Sequence, residues 1–411
     1  MTMMKMSKLR QIMACLLLLT AYCQLPTAAA QNAPSLSPSA RVSLITYGPG
    51  ADDISSSFGH TEIRIYDPAT SLDRNYSYGG FDYKADYFIL KFLRGTLPYH
   101  LSAHNLYQVI YYYQQTNRGI REQLLNLSPG QKQRLFEALE TNYLPQNREY
   151  RYKFYYDNCS TRPRDMIVAA CGDSLQLPAP TQLTKSYRDW MNDYLGEKPW
   201  SQLVMNIAIG RPSDVVTTNR EAMYLPNNVF NQFAQATIRQ GNGQQLPLVN
   251  STQTLFEPQS LPKQNGPLPF FPAFVFGVLG AIIGFVTYRQ YVRGKVSRWI
   301  DWLLFGFAGL CGWILLFLWI ARDDNVTAWN PSILWLMPLH LPLIFRATTG
   351  KNEQFTNWYF RVTAALILIS LFVWNVVPGG ADALFSLTLL IRCVANMQQV
   401  RRKSRELAVM V

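Results

Sequence analysis

Residues 156–165 read YDNCSTRPRD, placing Cys159 between an Asp-Asn pair and a Ser-Thr pair, with Arg162 and Arg164 close behind. A thiol in such polar company is poorly suited to packing. Its distinctive chemistry is nucleophilic, with the thiolate attacking an acyl carbon once a base has taken the proton. His60 is the candidate base: it follows Phe58-Gly59 and opens the stretch HTEIRIYD. His100 and His104 lie in YHLSAHN, which reads as a loop. Their spacing suits half a metal site, but no cysteine or carboxylate motif accompanies them, so neither a metal nor a cofactor is expected.

Nucleophile and base are far apart in sequence, so a fold must join them. HTEIRIYD alternates as a strand, with His60, Glu62 and Arg64 on one face and Thr61, Ile63 and Ile65 on the other. Strands are also expected over 42–47 and 75–78, and a helix over 84–93. Residues 106–113 and 119–127 are expected to pair as strands. Ser128 and Pro129 begin a helix running to about residue 143. An aromatic strand over 151–156 leads into Cys159, and the apolar run 166–170 continues as a helix. Asp157 or Asn158 is its expected cap, and Pro163 is tolerable in its first turn. Cys159 then lies at a helix N-terminus, where unpaired N–H groups and the dipole favour a thiolate. A helix from Cys159 to Cys171 separates the two by about 18 Å, beyond the roughly 7 Å that a disulfide spans. Residues 186–240 read as helices broken by Pro199, Pro212 and Pro226, and the polar, Pro/Gly-containing stretch 241–269 as a linker.

The ends of the chain set its compartment. Lys5, Lys8 and Arg10 precede an apolar run and Ala28-Ala29-Ala30, the pattern of a signal sequence over 1–30. Five apolar segments follow, near 270–288, 299–320, 332–345, 362–377 and 380–397. Basic residues fall between the first and second, between the third and fourth, and after the fifth. That alternation puts residues 31–240 outside the cytoplasm and the C-terminus inside. The net charge of +12 is mainly topological: 31–288 carries 22 basic against 20 acidic residues, which points away from nucleic acid. Arg392 falls inside the fifth segment, near enough to its cytoplasmic end to snorkel.

FGHTEIRIYD followed by YDNCSTRPRD resembles the exported domain of the Lnb family, lipoprotein N-acyltransferases of Bacteroidota-type bacteria. The stretch 205–226 and the multi-span second half resemble that family too. More distantly, histidine on an early strand and Asn-Cys at a helix start resemble the permuted papain-like fold of the lecithin:retinol acyltransferases. The resemblance implies an α+β thiol domain over 31–240 followed by an all-α membrane domain of about five helices over 270–411. It implies Cys159 as nucleophile, His60 as general base, a phospholipid as acyl donor and a diacylglyceryl lipoprotein as acceptor, at the inner membrane. Asn75, Tyr78, Asp82 and Glu62 are candidates to orient His60, although Glu62 is equally placed to pair with Arg64. The Cys159 N–H is one expected oxyanion donor. Asn158, Ser160, Arg162 and Arg164 are candidates for oxyanion or head-group binding. A periplasmic cysteine peptidase or amidase and a non-enzymatic membrane sensor or assembly factor are the competing readings; the multi-span half argues against the first.

Overall fold

The computed structural model describes residues 33–50, 54–259, 271–374 and 376–410. The expected signal sequence, and residues 260–269 of the expected linker, lie outside them. Six strands come first: β1 (Arg41–Tyr47), β2 (His60–Asp67), β3 (Leu72–Phe81), β4 (Pro98–His104), β5 (Ile120–Leu125) and β6 (Glu149–Arg151). With β7 (Val249–Phe256) they form one antiparallel sheet in the order β7-β5-β1-β2-β3-β4-β6. One face carries Val42, Leu44, Ile63, Ile65, Tyr76 and Leu101, all fully buried. Helices α3 (Pro129–Tyr143) and α4 (Thr161–Cys171) cover that face. Ser128 caps α3 through a reciprocal bond with Gln131, as its position before Pro129 predicts.

Several local expectations need revision. Residues 106–115 form a helix, α2 (Leu106–Gln115), because Asn105 accepts the Tyr107 N–H as a cap and Leu106 and Tyr113 bury at helical spacing. The strand leading to Cys159 ends at Arg151, and residues 153–157 make a turn closed by the Lys153 N–H to Asp157 carbonyl bond, 2.8 Å. YHLSAHN is strand β4, not loop. The helix expected over 84–93 is α1 (Phe88–Arg94). Residues 245–256, expected within the linker, supply a short strand (Gln245–Pro247) and β7, which pairs with β5 and completes the sheet. Pro199 and Pro226 begin helices α6 (Pro199–Ala208) and α7 (Pro226–Gln235), since proline at a first helical position forfeits no bond. Between β6 and α6 lies α5 (Tyr187–Leu195).

The C-terminal half is helical: α8 (Pro272–Val292), α9 (Arg298–Ala321), α10 (His340–Ala347), α11 (Glu353–Val373) and α12 (Ala381–Met410). Among the described residues, four of these are long and apolar enough to cross a membrane; α10 is not. The third expected span is a broken passage, a 3-10 turn (Pro331–Leu334) followed by α10. It nevertheless runs the length of the bundle. At one end Ser332 accepts the Trp374 indole N–H at 3.0 Å, and at the other Thr348 accepts the Trp302 indole N–H at 2.7 Å. Its backbone lies directly on α9, where a Cβ on Gly312 would stand 1.7 Å from the Leu336 carbonyl oxygen and one on Gly309 2.4 Å from the Leu341 nitrogen. Two glycines thus open the groove that seats this broken passage against α9, its non-helical part away from lipid.

Arg392 does not snorkel. It is fully buried, with Nε 2.7 Å from Asp301, and it donates to Thr287 Oγ1 and the Ser297 carbonyl oxygen. Asp301 also accepts from Asn396 at 3.0 Å. An inward carboxylate on α9 offers a better partner than the reach to water.

The sheet domain is keyed to the same end of the bundle as Trp374. The Gly210 N–H donates to the Val326 carbonyl at 2.9 Å, and Asn330 donates to the Ile207 carbonyl at 2.7 Å. A Cβ on Gly210 would lie 1.8 Å from the Ala328 carbonyl oxygen, so glycine alone permits this contact.

Candidate active site

His60 is the first residue of β2, and its ring lies over Gly79 of β3. A Cβ on Gly79 would stand 2.7 Å from His60 Cε1, so the glycine makes room for the imidazole. Gly59 is equally constrained: its φ is 77° and a Cβ there would meet the Tyr47 carbonyl oxygen at 2.5 Å. His60 Nε2 lies 2.7 Å from Ser77 Oγ and 3.4 Å from Glu62 Oε1. The Cys159 thiol lies against the same ring, close enough that its charge and a hydrogen bond both act on the imidazole.

Glu62 is the hub beneath His60. Its carboxylate is buried and accepts from the Tyr47 hydroxyl at 2.8 Å and from Asn75 Nδ2 at 3.1 Å, with His104 Nε2 also at 3.1 Å. Burial pushes the Glu62 carboxyl up, but the bonds from His104 and His60 outweigh it and hold it well below the usual carboxylate range. Burial likewise pulls His60 down. The charge and hydrogen bond of Cys159, then Glu62, overcome that and raise the imidazole to about 10. The site therefore favours the charged imidazolium of His60 beside the ionised Glu62 carboxylate.

Cys159 sits immediately before Ser160, the N-cap of α4. Asn158 builds the turn: its Oδ1 accepts the Ser160 and Thr161 N–H groups at 2.7 and 3.0 Å, and its Nδ2 donates to the Phe154 and Tyr224 carbonyls. Those bonds consume the Asn158 side chain, so it is not an oxyanion donor but the clamp that presents Cys159. The Cys159 N–H has no partner among the described residues and remains available to an oxyanion. Ser160 is fully buried and its N–H is already taken by Asn158.

The arginines are committed elsewhere. Arg162 grips Asp157 with Nε and Nη2 at 2.6 and 2.8 Å and lies 3.8 Å above the Tyr150 ring. Arg164 holds Asp165 at 2.7 and 3.1 Å. Both arginines are thus held in ion pairs with neighbouring carboxylates. The rings of Tyr99, Tyr150 and Tyr152 lie within electrostatic range of the thiol. Burial first and the Cys159 charge second push their hydroxyls up, so the wall is of neutral phenols. Cys171, by contrast, is a free, buried packing thiol at the far end of α4, pushed up to about 11 by burial.

Of the four residues proposed to orient His60, Glu62 contacts it directly and Asn75 acts through Glu62. Arg64 leaves Glu62 to others and pairs with Asp73 at 2.8 Å and Glu122 at 3.2 Å. Tyr78 has the opposite parity on β3 and packs in the core, its hydroxyl accepting from Asn142 at 2.8 Å. Asp82 is exposed and caps the Lys84 N–H at 2.7 Å. Ser77, His104 and Tyr47 were not anticipated. Strand parity carries a signal for Ser77, which shares the face of Asn75 and stands opposite Glu62 in register.

Two family models match the chain, the Lnb N-terminal periplasmic domain over residues 35–191 and the Lnb transmembrane domain over 263–404. The chain belongs to the Lnb family. No curated protein and no solved structure matches it. Membership makes it a membrane-associated protein of lipoprotein biogenesis with a periplasmic N-terminal domain and a transmembrane C-terminal domain. Cys159, His60, Ser77, Glu62 and His104 all fall within the Lnb periplasmic match. The strand β7 that closes their sheet lies between the two matches.

Proposed function

We propose that this Lnb protein is an N-acyltransferase of the bacterial inner membrane. It moves a fatty acyl chain from a phospholipid, through a Cys159 thioester, to the α-amine of the N-terminal lipidated cysteine of a lipoprotein. The observation that carries this reading is the contact of the Cys159 thiol with a histidine clamped by Ser77 and a buried carboxylate, in a domain docked on a membrane bundle.

In the first half-reaction the Cys159 thiolate attacks the ester carbonyl, and the Cys159 N–H stabilises the oxyanion. The carbon–oxygen bond breaks, His60 gives its proton to the departing glycerol oxygen, and a lysophospholipid leaves. In the second, the α-amine attacks the thioester and passes a proton to the now neutral His60. The carbon–sulfur bond breaks, the thiolate returns beside an imidazolium, and an amide remains on the lipoprotein. Glu62 holds the ring in place and stabilises its charged form in both halves.

The test is expression of wild type, Cys159→Ala and His60→Ala in cells depleted of their own apolipoprotein N-acyltransferase, with lipoprotein N-termini read by mass spectrometry. Wild type adds an N-acyl group and neither variant does. A wild type that adds none sinks the reading, and a Cys159→Ala protein that still adds one sinks the mechanism.

A further inference from the structure

Helix α1 (Phe88–Arg94) has the sequence FILKFLR and buries none of its residues. Ile89 is 72% exposed and Phe92 53%, with Tyr83 and Tyr87 just before the helix more than two-thirds exposed. A short helix of this composition is not held by core packing, so something outside the sheet domain must cover it.

Its position says what. The Arg94 carbonyl accepts the Asp323 N–H at 3.1 Å, and a Cβ on the next residue, Gly95, would lie 3.3 Å from Arg322 Nη2. Arg322 directly follows the membrane-spanning helix α9. At that end of α9 Ile320 is 75% exposed, and Trp319 pairs with Trp329 at 5.4 Å between centroids. Tryptophans with an arginine at the end of a span mark the membrane–water boundary. The apolar side of α1 is thus continuous with the lipid-facing surface of the bundle, and Lys91 and Arg94 supply charge for phosphate head groups.

A row of rings leads inward from it. Phe92 lies 6.3 Å from Phe88, Phe88 6.2 Å from Phe81, and Phe81 4.9 Å from Tyr99, centroid to centroid. Tyr99 stacks on Tyr152 at 4.3 Å, and both rings feel the charge of Cys159. The geometry points to α1 as a helix seated in the outer leaflet, with Phe92, Phe88, Phe81 and Tyr99 forming the wall along which a phospholipid acyl chain passes from bilayer to thiol. The occupant is the bilayer itself: an interfacial helix of this type buries its apolar side among the acyl chains. The acyl-chain route rests on the proposed acyl transfer; the seating of α1 in lipid does not.

A photo-cross-linking residue placed at Ile89 or Phe92 of the full chain, in bilayers of phosphatidylethanolamine and phosphatidylglycerol carrying an alkyne-tagged phospholipid, tests the seating. Tagged lipid is captured at both positions several-fold more than at Glu137, an exposed polar position on α3. Capture persists in Cys159→Ala, which separates this result from the fate of acyl transfer. Lipid capture no greater than at Glu137, or capture of another protein in native membranes instead, overturns the seating. The route is tested by Phe88→Ser. Loss of one apolar contact predicts about a tenfold drop in kcat/KM for a long-chain phospholipid. Cys159 alkylation by iodoacetamide stays at the wild-type rate, reporting an intact site. Unchanged kcat/KM overturns the route.

Discussion

Each half of the molecule buries an ionised cluster, and these two are built to opposite ends. In the sheet domain Glu62 gathers Tyr47, Asn75, His104 and His60, and the cluster stays open where His60 meets the Cys159 thiol. In the bundle Arg392 gathers Asp301, Thr287 and Ser297 while Asn396 takes the other Asp301 oxygen. That second cluster is closed on every side and joins α8, α9 and α12. A buried charge with a vacancy beside a nucleophile is arranged for proton transfer. One with no vacancy is arranged to hold helices together, and removing half of it leaves an uncompensated ion.

The comparison can be broken at its reactive end first. Cys159→Ala is expected to abolish N-acylation by mass spectrometry while leaving the thermal unfolding of the protein unchanged, because Cys159 is not part of the core. Glu62→Gln keeps the shape of the hub and removes its charge. We expect kcat to fall by about 10²-fold or more, the lower end of what general acid–base catalysis contributes. Its pH profile is the sharper readout. His60 is raised from 6.5 to about 10, so the imidazolium persists to the alkaline side of neutrality, and without the Glu62 charge the alkaline limb of Cys159 alkylation should move to lower pH. An unmoved limb would remove Glu62 from the site. The sign for stability follows from the same shift. The His60 contribution is complete below about pH 6.5 and is lost as pH rises through about 10.

At the closed end, Asp301→Asn or Arg392→Met alone should destabilise the bundle by about 3–5 kcal/mol, and the double variant Asp301→Leu/Arg392→Met by much less. Unfolding in detergent measures both, and the surviving folded protein should retain its acyl-transfer rate. If single and double variants cost the same, the cluster is not a paired staple. Gly79→Ala comes next: a methyl 2.7 Å from His60 Cε1 must displace the ring, and overpacking of this size costs about 1–3 kcal/mol. We expect slower Cys159 alkylation with little loss of expression. Asp82→Ala is the smallest, within about 0.5 kcal/mol in stability and without effect on rate, since Asp82 is an exposed turn cap.

The proposed nucleophile and base, and the membrane half, were legible because each depends on local residue type or on long apolar runs. Cys159 stands out by its polar neighbours, and His60 by an alternating strand. What was not legible depends on pairing between distant strands. Glu62 becomes the hub only because β1 brings Tyr47 and β4 brings His104 to one carboxylate, and YHLSAHN carries too few β-branched residues to announce a strand. For Arg162 and Arg164 the sequence left head-group binding and an ion-pair network equally open, because ion pairing is decided by side-chain reach, and both found carboxylates within five residues. The third span was read from its apolar content, which does not reveal that Gly309 and Gly312 of the neighbouring helix let non-helical backbone cross instead.

The contact at Gly210 has a kinetic consequence. With no clearance against Ala328, the sheet domain is seated directly on the bundle at this point. In the proposed acyl transfer, lipid-anchored donor and acceptor would then reach the thiol by lateral diffusion in one leaflet. Its rate will then follow their mole fraction in the membrane surface, and diluting them with inert lipid at constant bulk concentration will slow it.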